Sequence, residues 1–259
     1  MPNPIDFRAR SVTEIVDGAV QLYKRDALHY ILIAAVASAP GVILQLVASG
    51  GTDATTGPTF GGMMFVALFI SLLGSTLMSA VLVHFASAVY LGGEADVQRS
   101  LRVVVSRLGS LVVNALVKWP LIILGTMLLL APGLYLFTRW FATTPTIVLE
   151  GRGPFAAFGR SSTLSKGRKR RVFGTLFLVY LLFWLGLFGL MSVTGGFGDD
   201  GSLLTQVLYA VYGAIVYPIV GIAEMLLYYD ARIRAEAFDV EVLASGLPTA
   251  REGSPQPQG

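Results

Sequence analysis

Two aspartates stand in spellings that could do chemistry. Asp199 closes the GxGD run Gly196-Phe197-Gly198-Asp199, and Asp230 follows Tyr229 in a YD pair. Two carboxylates held about 3 Å apart share one proton and act as a general acid and base on water. The histidines are His29 and His84. His29 sits beside Tyr30 at the inner edge of an apolar run, where an interfacial role suffices; His84 has no carboxylate at metal-ligand spacing, and the chain carries neither HExxH nor a phosphate-cradling P-loop. Gly61-Gly62 and Gly195-Gly196 flank apolar runs and read as turns. The absence of Cys excludes disulfides, thiolate metal sites and Cys nucleophiles. The other chemically interesting side chains are Lys118, Arg139 and Glu224, which lie inside apolar runs.

Whether any of these groups meet depends on the elements that carry them. Hydrophobic residues make up 54% of the chain and charged residues 14%, against roughly 25% charged in a soluble domain. A membrane span needs about 20 apolar residues. Runs over 28–48, 63–91, 111–131, 172–193 and 203–227 meet that length, and 134–149 is shorter and interrupted by Arg139 and Pro145. Charge decides the short run. If it spans, every Lys and Arg of the 19 except Lys118 and Arg139 falls on one side, the positive-inside pattern. Six spans with both termini cytoplasmic follow, with Pro132-Gly133 as a tight outer turn. The first apolar run starts only at Leu28, behind a charged segment, so the beginning reads as a retained helix and not a signal peptide. The slightly positive net charge, +3, does not imply nucleic acid.

This topology places Asp199 in an outer loop and Asp230 at the inner end of the last span, a bilayer core of about 30 Å apart. The GxGD and YD spellings resemble the motif pair of the intramembrane aspartyl proteases, but in reversed order along the chain. No catalytic, cofactor or metal site is expected, and the chain reads as no enzyme.

The inner segments are amphipathic. Ser11 and Glu14 form a capping box that opens a helix to about Lys24, with Val12, Ile15, Ala19, Leu22 and Tyr23 on its apolar face. Val97, Leu101, Val104, Val105 and Leu108 repeat the pattern opposite Arg99, Arg102 and Ser106, and 154–165 is a weaker third case. Such helices are expected in the inner interface plane. Small residues recur at Ala67, Ser71, Ser75 and Ser79, and at Ala210, Ala214 and Pro218, as packing faces.

Two polar sets stand out. Lys118, Glu224, His84 and Asn114 fall in the inner halves of their spans, and Arg139 lies in the fourth. An unpaired Lys or Arg at the bilayer centre costs at least about 2.5 kcal/mol. The set reads either as a polar cavity open to the cytoplasm or as a structural ion pair with snorkelling. Depth and side-chain lean favour Lys118 pairing with Glu224 and leave Arg139 aside. Lys166, Arg168, Lys169, Arg170 and Arg171 abut the fifth span, where contact with anionic lipid gains roughly 1 kcal/mol per basic residue.

Two stretches resemble a known family. One is Arg139-Trp140-Phe141-Ala142, Pro145, Glu150-Gly151 and Gly159-Arg160-Ser161-Ser162 with Leu164 and Lys166-Gly167. The other is Tyr228-Tyr229-Asp230-Ala231-Arg232-Ile233-Arg234-Ala235-Glu236 with Asp239. Together they resemble the bacterial membrane-domain family named after the membrane part of glycerophosphoryl diester phosphodiesterase. Ala237 stands where that family commonly has glycine. The resemblance implies a polytopic protein of the cytoplasmic membrane of a bacterium. Its enzymatic name does not transfer, because the catalytic part is a barrel of about 250 residues and the spans leave no room for one. Within the second stretch, Asp230 with Arg234 and Arg232 with Glu236 also read as i, i+4 pairs on a solvated helix.

The expectation is an all-α membrane protein: one membrane domain over 1–245, then a disordered tail over 246–259 rich in Pro, Gly and Gln. Its expected role is a non-enzymatic module that contacts membrane lipids or another membrane protein. The alternative is a small transporter or channel that uses the inner-half polar residues.

Overall fold

A computed structural model of the chain describes residues 10–50, 62–93, 95–195 and 203–236, with the backbone alone over 40–50 and 62–69. Most of the expected outer loop 50–62, the GxGD run with Asp199, the stretch beyond Glu236 and the tail lie outside the described residues. Every regular element among the described residues is a helix. In chain order they are α1 (Val12–Arg25), α2 (Ala27–Gly50), α3 (Gly62–Tyr90), α4 (Val97–Ser106) and α5 (Leu108–Leu128). There follow α6 (Leu130–Arg139), α7 (Thr143–Glu150), α8 (Pro154–Ser165), α9 (Lys169–Thr194) and α10 (Leu203–Glu236). Four helices are long and apolar enough to cross a membrane: α3 through Ile70–Tyr90, α5, α9 and α10. Over its residues with described side chains, α2 is a shorter apolar helix, Ala27–Ala39.

The first helix forms as its sequence dictates. The Ser11 hydroxyl accepts the Glu14 N–H, and the Glu14 carboxylate accepts the Ser11 N–H at 2.5 Å. Ile15, Ala19 and Leu22 are buried against the bundle. In α4 the apolar face divides: Val104 is buried, while Leu101 and Val105, with Leu108 at the start of α5, remain exposed. The last helix is the hub, packing on α1, α2, α3, α8 and α9. Of the proposed small-residue faces, Ser79, Ala214 and Pro218 are buried, and Ser71 is exposed.

Two expected features change. Pro132-Gly133 is not a turn. The chain turns at Leu129, whose φ of −158° and ψ of 139° are extended, and α6 begins at Leu130. Pro132 then lies in the first helical turn, where a missing N–H costs nothing. Gly133 packs against α5, where a Cβ would fall 1.9 Å from Thr126 Oγ1. Further along, 134–149 is not one helix but parts of α6 and α7, interrupted at Trp140–Ala142. Pro145 sits in the first turn of α7 and has no N–H to bond back across the break.

A second helix makes that break possible. After Glu150 the chain reverses and α8 folds back onto α7. The Ser161 hydroxyl accepts the Ala142 N–H at 3.0 Å and donates to the Arg139 carbonyl at 2.9 Å. Backbone groups freed in an apolar environment must be satisfied from within the protein. Phe141, Ala142, Thr143 and Thr144 are correspondingly buried. The weakly amphipathic segment 154–165 therefore closes against protein along Ala157, Ser161, Leu164 and Ser165.

Candidate functional site

The charged side chains gather where α1, α7, α8 and the end of α10 meet. Asp230 is the most enclosed carboxylate there, with a side chain 2% exposed. It accepts the Arg10 N–H at 2.8 Å, Arg171 Nε at 3.1 Å and Arg234 Nε at 3.0 Å. Arg234 also donates to the Arg10 carbonyl at 3.1 Å. One carboxylate thus ties α1, α9 and α10 together. One residue earlier, the Tyr229 hydroxyl and Ser87 Oγ on α3 hydrogen-bond at 2.7 Å.

A second carboxylate, Glu150 at the end of α7, binds on the other side of α10. Arg152 Nε donates to it at 2.7 Å, Arg160 Nε at 3.0 Å and the Tyr228 hydroxyl at 2.7 Å. Arg160 continues to Glu236, which also accepts Arg232 Nε at 3.2 Å. Burial pushes the Glu150 carboxyl up, but the hydrogen bonds from Tyr228, Arg152 and Arg160 outweigh it and hold the group below its ordinary value. The Arg160 guanidinium is held above its ordinary value, chiefly by the bond to Glu236.

The expected i, i+4 pairs are present, yet the segment is no solvated helix: Tyr228, Tyr229, Asp230 and Ala231 are buried. The pairs are internal parts of two clasps that reach other helices. Glu150 and Arg160, in the first of the resembling stretches, touch Tyr228 and Glu236 in the second.

The inner-half set divides. Glu224 accepts Ser79 Oγ at 3.2 Å and the Tyr180 hydroxyl at 3.0 Å. Lys118 and Glu224 are each the charged group that acts on the other, but they form no ion pair within contact distance. The expected contact pair is not made, and Lys118 Nζ lies 5.5 Å from the centre of the Trp119 ring. Two polar groups on α3 and α9 reach Glu224 first, which the count of charges alone could not reveal. His84 Nδ1 and Ser100 Oγ on α4 lie 2.9 Å apart. Asn114 is fully buried, and neither amide atom has a partner within the described protein. Arg139 stands apart, donating from Nε to Ser162 at 2.9 Å.

The basic cluster is only partly free. Arg168 donates to the Arg234 carbonyl. Lys169 donates to the Tyr135 hydroxyl at 2.9 Å and sits 4.1 Å above that ring. Arg171 belongs to Asp230. Lys166 is exposed at the end of α8. Sequence reasoning missed Arg10, Glu150 and Arg160 as site members because their partners lie far along the chain. The available signal was a carboxylate and an arginine with no opposite charge one helical turn away.

No group of three or more His, Cys, Asp or Glu among the described residues is arranged to hold a metal ion. No family model matches the chain, and no curated protein or solved structure matches it.

Proposed function

We propose that the protein is a non-enzymatic module of the cytoplasmic membrane of a bacterium, with six passes and both termini cytoplasmic. Its charged end is the working surface and meets membrane lipid. The observation that carries this reading is the separation of surfaces. Phe177, Leu182, Trp184, Leu185 and Phe188 on α9 are exposed and apolar, while the charged clasps and the basic cluster share one end. The counting of passes draws support from one contact. Arg107, at the start of α5, donates to the Ile147 carbonyl near the end of α7. The excursion through α5, α6 and α7 thus leaves and returns to one side, with α6 and α7 as a bent return pass. The exposed stripe Leu101, Val105 and Leu108 suits α4 to lie in the interface, apolar side in lipid. Membership of the membrane-domain family is proposed on the two resembling stretches alone, which touch each other in the fold.

The test is mass spectrometry of lipids that co-purify with the full chain after mild detergent extraction. Retention of anionic over zwitterionic lipid is expected. Retention in the proportions of the membrane would reject a lipid-facing role for the charged end. A second reading, a small transporter, is favoured by Asn114, a fully buried amide with no hydrogen-bond partner among the described residues. Solute flux into proteoliposomes that disappears in Glu224→Gln would favour transport over the first reading.

A further inference from the structure

The turn between α8 and α9 borders a cleft of about 460 Å³, lined by Gly167, Arg168, Lys169, Arg170, Arg171 and Arg234. Gly167 shapes it: with φ of 75°, the turn needs a residue free of Cβ strain. Five cations from two distant segments face one space, and one carboxylate, Asp230, answers two of them. Among the described residues, five positive charges against one negative leave a large local excess.

These cations are not a loose surface run. Arg168 is tied to the Arg234 carbonyl, Lys169 to Tyr135, and Arg171 and Arg234 to Asp230. The entropy of ordering four long side chains is therefore already spent before anything binds. Each guanidinium has five N–H donors, and Asp230 uses only some of them. A cavity of this size with converging, pre-ordered arginines fits a phosphate group, which takes bidentate guanidinium bonds.

The surroundings indicate who presents that phosphate. Phe173, Phe177 and Trp184 are exposed and follow Lys169 at spacings of 4, 8 and 15 residues along α9, on one side of the helix. The Phe173 and Phe177 rings stack 5.8 Å apart. An apolar track thus leads away from the cleft into the region where acyl chains lie.

We propose that this cleft binds the phosphate of an anionic phospholipid headgroup, with the acyl chains along the Phe173 and Phe177 track. The inference rests on the lipid-facing reading above but not on the number of passes. Whole-lipid retention tests that reading, and the cleft variants test this one.

The experiment measures binding of a short-chain phosphatidylglycerol to the full chain in neutral detergent, with inorganic phosphate and phosphatidylcholine as separate probes. The variant Lys169→Gln with Arg170→Gln leaves the Asp230 clasp intact, and Arg99→Gln with Arg102→Gln on α4 removes equal charge elsewhere. Phosphatidylglycerol should bind the native chain more tightly than phosphatidylcholine, and the cleft variant should weaken it about thirtyfold, with the α4 variant near native. Equal weakening by both variants would overturn the proposal, because it would mean a diffuse attraction. Inorganic phosphate binding as tightly as the lipid would also overturn it, by making the cleft a free-anion site.

Discussion

Asp230 illustrates how much one side chain can carry. A carboxylate this enclosed is tolerated because two guanidiniums and a backbone N–H surround it. Removing the charge leaves Arg171 and Arg234 without their counter-ion. Asp230→Asn is therefore expected to cost about 3–5 kcal/mol, read as thermal unfolding in detergent. A loss below about 1 kcal/mol would mean that water already screens the clasp. Glu150 gives a pH prediction with a definite sign. Its folded-state carboxyl lies below the ordinary value, so its stabilisation is complete above about pH 4.3 and fades as pH falls through the lower folded value. Glu150→Gln should lower stability at neutral pH and flatten the acid limb. Parallel acid limbs for the two proteins would assign the sensitivity elsewhere. Glu150 did not stand out by spacing. Asp230 was legible as a partner of Arg234, because i, i+4 neighbours are fixed by helix geometry. Arg171 and Arg10 were not, because only packing brings them near.

At the scale of elements, periodicity and capping foretold α1 and α4 well, since both depend on neighbours within a turn or two. The same logic failed at 134–149. An apolar run there looked like one span, but Pro145 and the serines of α8 make an interrupted pair of helices the better solution. Ser161 is the hinge of that argument. Ser161→Ala would strand the Ala142 N–H in a buried site, and such a group costs about 1–3 kcal/mol. Thr163→Ala on the exposed face of α8 should change little, as its hydroxyl bonds only its own helix. Equal thermal shifts for the two variants would contradict the role given to Ser161. Ridge spacing likewise foretold only part of the packing, because Ser71 continues the pattern beyond the point where α3 is covered.

For the molecule as a whole, the expected topology yields a measurement independent of any packing detail. Reporters fused after Leu91, Glu150 or Ala244 should report the cytoplasm, and one within residues 50–57 the outside. The fusion after Glu150 is the discriminating one. An external signal there would break the parity that the Arg107 contact to Ile147 implies.

What the sequence by itself determined is the apolar, helical character of the fold and the bias of its charge. Long apolar runs favour helices, four of them long and apolar enough to cross a membrane, because an unpaired backbone group in lipid costs several kcal/mol. The gathering of basic residues in a few segments is likewise read directly from the chain. Those properties sum over neighbours and need no knowledge of contacts. Only the tertiary structure decided that Glu150 and Arg160 close on Tyr228 and Glu236, that Glu224 turns to Ser79 and Tyr180, and that α8 seals the break beside Ala142. Each of these depends on which helix lies beside which. Hydrogen bonds act over about 3 Å, so a shift of one helical turn at a distant segment would exchange every partner while leaving the sequence pattern untouched.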